Sequence, residues 1–312
     1  MDKPRVVFFG TPEFACAILK TLYEENYPVA AAVSQPDKPV GRKHKIVPTP
    51  VHELADELGI PVIQPSRLKD AAEEIRDLEP ELIVTCAYGQ IIPQTILSMP
   101  VYGCLNIHPS LLPKYRGGAP IHHAIMAGDE QTGVCLMEMV KKMDAGKVYD
   151  RRIVDIGKDD TTADLTVKLI EASCDLIRKS LPLYLSGELK GEEQDEEKAV
   201  IIRNIAPEEE QLHFQTENAH DLYNHARALI DWPVPYGIVE GKRMRFLKVR
   251  MSETETEAQP GEILGFRDKA MEIACLRGIL KVYELQPEGK KPMSAEAYRN
   301  GAGRTMIGKV FE

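Results

Sequence analysis

Apolar runs of three to five residues alternate with amphipathic stretches over roughly the first 185 residues of the chain. Their length and composition are typical of buried strands, and they lie at residues 6–9, 29–33, 61–63, 82–85 and 104–107. Helical periodicity fills much of the sequence between them. Strands that alternate with helices predict an α/β domain of Rossmann-like type, with a mainly parallel sheet covered by helices on both faces.

The starts of three helices can be predicted from capping residues. Thr11-Pro12 and Thr49-Pro50 each place a hydroxyl N-cap before a proline at the first helical position, and Gly59 is expected to end the second helix. A long third helix is expected to begin at residues 161–163.

A polar, charged stretch at residues 187–198 interrupts this pattern, and we expect it to lie in a linker between two domains. Beyond it, one helix is predicted over residues 216–229. Short strand-like runs separated by glycines and polar turns follow at residues 236–239, 244–249, 262–264, 271–275 and 278–284. The predicted organisation is an α/β catalytic domain at 1–187, a linker at 188–206, and a small OB-like β-barrel domain at 207–312.

Composition narrows the class of protein. A chain of 312 residues favours two domains, and the 43% hydrophobic content is sufficient for packed cores. The net charge of −9 would repel a polyanion, so a nucleic-acid partner requires a local basic patch. The six cysteines form no C-x-x-C pair, which disfavours zinc and redox motifs and fits buried thiols in the cytoplasm. No targeting segment or membrane-length apolar run is evident, so we expect a soluble cytoplasmic protein.

Three polar residues are the strongest candidates for catalysis. Asn106 and His108 lie two apart at the end of a predicted strand and should therefore face one cleft. Asp144 follows a later apolar run. An amide, an imidazole and a carboxylate can together run an acyl-group transfer without a metal or a covalent nucleophile. The alternatives are a structural histidine and a turn aspartate. The turn after Gly10 lacks the G-x-G-x-x-G pattern, which disfavours nicotinamide chemistry.

The string N-I-H-P-S-L-L-P-K-Y-R-G at residues 106–117 closely resembles the signature of the 10-formyltetrahydrofolate-dependent formyltransferases. M-D-A-G at 143–146 and F-F-G-T-P-E-F at 8–14 are similar to two further segments of that family. The segments at residues 34–43, 87–93 and 194–196 resemble patterns of the members that act on initiator methionyl-tRNA. The resemblance is strong from about residue 5 to residue 200 and fainter beyond.

This resemblance implies transfer of a formyl group from 10-formyltetrahydrofolate, without a metal, to the α-amine of initiator methionyl-tRNA. Asn106 and His108 would stabilise the anion that develops on the formyl oxygen, and Asp144 would favour the charged ring and handle protons. The implied contacts with the folate co-substrate lie in two segments: Ser110, Leu111, Leu112 and Pro113, and Tyr88, Gly89, Gln90 and Ile91. No feature demands an oligomer, so a monomer is expected.

Two basic segments are candidates for binding tRNA phosphates. One is a loop after the second strand, with Lys38, Arg42, Lys43 and Lys45, and the other is a predicted strand, with Lys242, Arg243 and Arg245. The alternative for each is an ordinary solvated surface. The segment at residues 231–236 retains only part of the family's usual tryptophan-proline-glycine sequence.

Three other functions remain open. The same centre would serve a formyltransferase that acts on an amino-sugar nucleotide, which would replace the tRNA groove by a nucleotide pocket. It would also serve a folate-dependent hydrolase that uses water as acceptor. A folate-binding protein without turnover is a further alternative, which the intact trio of polar residues disfavours.

Overall fold

The computed structural model describes residues 3–40 and 45–312. Its strands are β1 (Val6–Gly10), β2 (Val29–Val33), β3 (Lys38–Val40), β4 (Lys45–Val47), β5 (Val62–Ile63), β6 (Leu82–Cys86), β7 (Cys104–His108), β8 (Arg116–Gly117), β9 (Gln131–Glu138), β10 (Val148–Asp155), β11 (Ile201–Ile202), β12 (Tyr236–Val239), β13 (Lys242–Ser252), β14 (Ile263–Arg267), β15 (Ala270–Ala274), β16 (Ile279–Pro287) and β17 (Met293–Ser294). Its α-helices are α1 (Glu13–Glu24), α2 (Pro50–Leu58), α3 (Ala72–Asp77), α4 (Gln94–Leu97), α5 (Pro120–Met126), α6 (Thr162–Leu185), α7 (Ala219–Leu229) and α8 (Ala295–Asn300).

The predicted mainly parallel sheet is confirmed. Seven strands lie in the order β10-β9-β7-β6-β1-β2-β5, and the pairs from β7 to β5 are parallel. Gly10 pairs with Cys86, and Thr85 pairs with Asn106, so β1, β6 and β7 end at the same edge of the sheet. The loops that follow these three strands therefore begin side by side, where parallel sheets bind their ligands.

Two of the three predicted helix starts are confirmed. Thr49 accepts a hydrogen bond from the backbone of the first turn of α2, and Gly59 ends that helix at a φ of 70°. Thr161 and Asp164 cap α6 reciprocally. The predicted cap at Thr11 is wrong, because α1 begins at Glu13 and the Thr11 hydroxyl donates instead to the carbonyl oxygen of Tyr88 at 2.9 Å.

Contacts divide the chain into two compact units. The first contains residues up to 117, 132–155 and 166–201, and the second contains 118–131, 156–165 and 202–312. The linker and domain boundaries expected at residues 187 and 207 remain a prediction.

The second unit contains the predicted barrel-like sheet, in the order β12-β13-β16-β15-β14 with antiparallel neighbours. Phe311 bridges to Val239 in edge strand β12, and Val310 bridges to Glu262 just before edge strand β14, so the sheet curls toward closure. Its core contains Phe214, Phe246 and Phe311, whose ring centroids lie 5.3–6.1 Å apart. Helix α7 packs on this core but starts three residues later than predicted, because Asn218 supplies its cap.

Two further features differ from the sequence-based expectation. Strand β10 was not predicted, because its charged residues hide the alternation of a strand at the sheet edge. The basic loop begins and ends in the short antiparallel strands β3 and β4.

Within the described residues, no helix combines the length and apolar character needed to cross a bilayer.

Candidate active site

Asn106 lies near the end of β7, partly exposed between two buried neighbours. Its Oδ1 accepts a hydrogen bond of 2.8 Å from the Thr85 hydroxyl on the paired strand β6. Because that oxygen faces Thr85, the Asn106 Nδ2 group, which can only donate, is the end of the amide that remains for a ligand. The strand pairing thus fixes which way the amide faces.

His108 is the last residue of β7 and is 4% exposed. Its Nε2 lies 2.9 Å from the carbonyl oxygen of Tyr115. A carbonyl oxygen only accepts, so Nε2 carries a proton and Nδ1 is the nitrogen that faces the Asp144 carboxylate, 3.7 Å away. His108 can therefore offer a second N–H only from Nδ1, and only when the ring is protonated.

Asp144 lies in the turn between β9 and β10, with a φ of 48°. Its Oδ2 accepts a hydrogen bond of 2.9 Å from the backbone N–H of Gly117. Gly146 closes the same turn against β9, where an added Cβ would lie 2.0 Å from the carbonyl oxygen of Glu138. The glycine of the M-D-A-G segment thus lets the turn approach the sheet closely enough to place Asp144 beside His108.

The predicted folate segment after β7 is tightly folded. Ser110 is fully buried, and its hydroxyl donates to the carbonyl oxygen of Lys114 at 2.7 Å. Leu112 packs against Cys135, Met137 and Val148. These side chains hold the loop, which leaves its backbone and the half-buried Leu111 and Pro113 as the parts open to a ligand.

The second predicted folate segment follows β6. Gly89 has a φ of 91°, and the Tyr88 carbonyl accepts hydrogen bonds from the side chains of Thr11 and Gln35. The Gln90 side chain is bonded to Leu68, Pro65 and Gln35. Ile91 is 91% exposed, an unusual state for an apolar side chain. The roles of both segments toward a folate remain predictions.

The basic residues proposed for tRNA are partly described. Arg42 and Lys43 lie outside the described residues, and Lys38 is exposed in β3. Lys45 belongs to β4.

On β13, Lys242, Arg243 and Arg245 are exposed while Met244 and Phe246 are buried. The burial pattern changes phase at the register irregularity after Phe246, so that Lys248 and Arg250 are exposed as well. Arg243 also lies 4.5 Å from the ring centroid of Tyr236. The second unit therefore carries a continuous row of cations along one strand.

Three residues around the site were given no individual role in the sequence analysis. Thr85 orients Asn106, Gln194 donates to the Asp144 turn, and Arg116 donates to Gln194. A threonine at the end of an otherwise apolar strand was a usable signal for the first. The other two are 78 residues apart, so only the fold brings them together.

The site combines one oriented amide donor, one imidazole and one carboxylate at the edge of a parallel sheet. Such a set stabilises an oxyanion and moves a proton, which is the chemistry of acyl-group transfer. No group of three or more His, Cys, Asp or Glu side chains suited to a metal occurs in the part of the chain that the structure describes. The fold and the site together define an acyl-group transferase.

Comparison with known proteins specifies the acyl group. Residues 4–181 match the formyl transferase family, and residues 204–303 match the formyl transferase C-terminal domain. The chain is 44% identical over 301 residues to the methionyl-tRNA formyltransferase of Bacillus cytotoxicus, and the match covers 96% of each protein. The chain therefore belongs to the formyl transferase family, which confirms the resemblance carried by its motifs.

Two solved structures share the fold. HypX from Aquifex aeolicus in complex with tetrahydrofolic acid is 18% identical, with a TM-score of 0.65 over 98% of this chain and 49% of that one. This chain thus spans about half the length of HypX. The N-formyltransferase from Helicobacter canadensis, in complex with folinic acid and dTDP-3-aminofucose, is 17% identical, with a TM-score of 0.68 over 92% of this chain and 100% of that one.

Proposed function

We propose that this protein transfers the formyl group of 10-formyltetrahydrofolate to the α-amino group of methionyl initiator tRNA. The observation that carries the proposal is the convergence of Asn106, His108 and Asp144 at one edge of the sheet. The chain that contains them is 44% identical to a methionyl-tRNA formyltransferase. The presence of folates in structures of the same fold supports a folate co-substrate.

Asn106 and His108 stabilise the charge that develops during the transfer. When the acceptor amine attacks the formyl carbon, negative charge collects on the formyl oxygen. Asn106 donates to that oxygen from Nδ2, which Thr85 keeps directed away from β6. His108 in its protonated form adds an N–H from Nδ1. Removing one such donor typically lowers the rate by about 10²–10³.

Asp144 has two tasks in this scheme. Its carboxylate lies 3.7 Å from His108 Nδ1, so its negative charge favours the positive charge of the protonated ring through space. It also takes the proton that the amine loses, directly or through one water molecule, and returns it to N10 of the folate when the bond between the formyl carbon and N10 breaks and tetrahydrofolate leaves. The Gly117 N–H holds the carboxylate in place during both steps.

The acceptor is expected to be bound by its phosphates. The exposed cations of β13, with Lys38 and the predicted contacts Arg42, Lys43 and Lys45, would hold tRNA without reading its sequence. The cytoplasm and a monomeric state are the expected setting.

The test is a mixture of the protein with 10-formyltetrahydrofolate and either charged or uncharged initiator tRNA, in which the release of tetrahydrofolate is followed. Release that depends on the methionyl group is expected. Release without tRNA would indicate a hydrolase, and no release would refute the proposal.

An amino-sugar nucleotide is the second candidate acceptor, since the Helicobacter canadensis protein of the same fold binds dTDP-3-aminofucose. Titration with dTDP decides between the two. Micromolar binding of dTDP, with no effect of tRNA on turnover, would favour the sugar.

A further inference from the structure

We propose that Gln194 is a positioning residue for the formyl transfer, acting through the turn that carries Asp144, and that Arg116 sets its orientation. This proposal rests on the proposed function. It also assigns a role to the Gln194-Asp195-Glu196 segment, which the motifs singled out but the mechanism above does not use.

The side chain of Gln194 is fully engaged. Its Nε2 donates to the carbonyl oxygens of Asp144 at 2.8 Å and of Gly146 at 2.7 Å. Its Oε1 accepts a hydrogen bond of 3.0 Å from Arg116 Nε. A guanidinium only donates, so Arg116 determines which end of the amide faces the turn. One side chain thus binds the backbone of both neighbours of Ala145.

The turn needs such support, because its conformation is not one that its residues prefer. Asp144 has a φ of 48°, a left-handed conformation that aspartate tolerates better than most residues but adopts less readily than glycine. Lys142 and Met143 beside it are exposed and bury little surface. The carboxylate can keep its place next to His108 only if other groups hold the backbone.

Arg116 is rigidly placed for this task. It is 1% exposed, its backbone N–H donates to the carbonyl oxygen of Val200, and its Nη1 lies 3.0 Å from Glu196 Oε1. The adjacent Gly117 N–H binds Asp144 directly. The Nη2 of Arg116 has no hydrogen-bond partner among the described residues, and a buried donor without a partner costs stability. Arg116 and Gly117 therefore couple both the carboxylate and its turn to one short segment.

The sharpest perturbation is Gln194→Glu. Glutamate keeps the shape of the side chain and the bond from Arg116, but it replaces the donating Nε2 by an oxygen that faces two carbonyl oxygens. A displacement of the catalytic group by about 1 Å lowers rates by about 10²-fold. We expect single-turnover formyl transfer to fall about 10- to 100-fold, while the affinity for 10-formyltetrahydrofolate changes less than about threefold.

Two comparisons separate positioning from general damage. Glu193→Gln makes the reverse change at the neighbouring residue. The Glu193 carboxylate is largely exposed and lies 3.4 Å from the Lys147 ammonium, so this variant should keep the rate within about twofold of the parent protein. A double-mutant cycle with Asp144→Asn then tests the route. If Gln194 acts through Asp144, Gln194→Glu should cost less than about threefold in the Asp144→Asn background. Additive losses would overturn the proposal.

A second measurement needs no turnover. Hydrogen exchange of backbone amides in residues 139–147 should be at least about tenfold faster in Gln194→Glu than in the parent or Glu193→Gln. Unchanged exchange in this segment would overturn the positioning role. Absence of tetrahydrofolate release by the unaltered protein would instead refute the proposed function, and the exchange result would still decide the role of Gln194.

Discussion

Substitution of Gly146 by alanine tests how closely the Asp144 turn must approach the sheet. An alanine Cβ would lie 2.0 Å from the carbonyl oxygen of Glu138 and 2.8 Å from its carbon. Glu138 cannot move away easily, because it belongs to β9 and pairs with Leu105 of β7. The turn itself must therefore retreat by about 1.4 Å before the new Cβ reaches an ordinary van der Waals contact of 3.4 Å.

That displacement has two calculable consequences. The Gln194 bond to the Gly146 carbonyl, now 2.7 Å, would lengthen past hydrogen-bonding range, and Asp144 would leave its place 3.7 Å from His108. Misplacement of this size lowers rates by about 10²-fold, and overpacking of this kind costs about 1–3 kcal/mol of stability. We expect Gly146→Ala to lose about 10²-fold in single-turnover formyl transfer, with the affinity for 10-formyltetrahydrofolate changed less than about threefold.

The assay combines single-turnover transfer to charged tRNA, folate titration and urea unfolding. Gly187→Ala is the control, since Gly187 has a φ of 79° and no atom within 4 Å of an added Cβ. It should lose about 1 kcal/mol through backbone strain and keep full activity. Activity of Gly146→Ala within threefold of the parent protein would refute the reasoning.

Three further predictions concern stability and tRNA binding. Val234 has a φ of 85°, a left-handed conformation that strains a β-branched residue but not glycine. Val234→Gly should therefore raise the free energy of unfolding by about 1 kcal/mol in urea titrations, and a decrease would contradict this explanation. Burial acts to raise the pKa of Asp150, but hydrogen bonds from Ser180 and Arg152 outweigh it and hold that pKa below its ordinary value of 3.8. The carboxylate thus adds stability above pH 3.8, and this stability is lost as the pH falls through the lower pKa of the folded state. Asp150→Asn should therefore destabilise the protein at pH 7 but much less at pH 3. An equal loss of stability at both pH values would contradict this prediction. Reversing the charges of Arg243 and Arg245 should weaken tRNA binding and flatten its salt dependence, whereas reversal at the exposed Arg299 and Arg304 should not; an unchanged salt slope would count against the β13 surface.

Features of the fold that depend on residues close together in the sequence could be predicted. The cap at Thr49 and the stop at Gly59 need only residues within one helix. Thr11 looked equivalent to Thr49, but the loop after β6 brings the Tyr88 carbonyl to its hydroxyl, and this tertiary bond replaced the cap. Strand β10 was missed because an edge strand tolerates charges on its outer face.

The candidate site shows the same division. The i, i+2 spacing placed Asn106 and His108 correctly on one strand, and the resemblance strengthened the candidacy of Asp144. The ring nitrogen available at His108 could not be predicted, since it depends on the Tyr115 carbonyl folding back onto Nε2. The support from Arg116 and Gln194 links residues 48 to 78 positions apart in the sequence, a separation over which periodicity carries no information.

The central claim is that Asn106 and His108 stabilise the reacting formyl oxygen and not the bound folate. The most direct measurement compares single-turnover transfer from 10-formyltetrahydrofolate to methionyl-tRNA with folate affinity, in Asn106→Ala and His108→Ala. The account predicts a rate loss of about 10²–10³ in each variant, with affinity kept within about tenfold. Equal losses of rate and affinity would contradict it and leave both residues with a structural role.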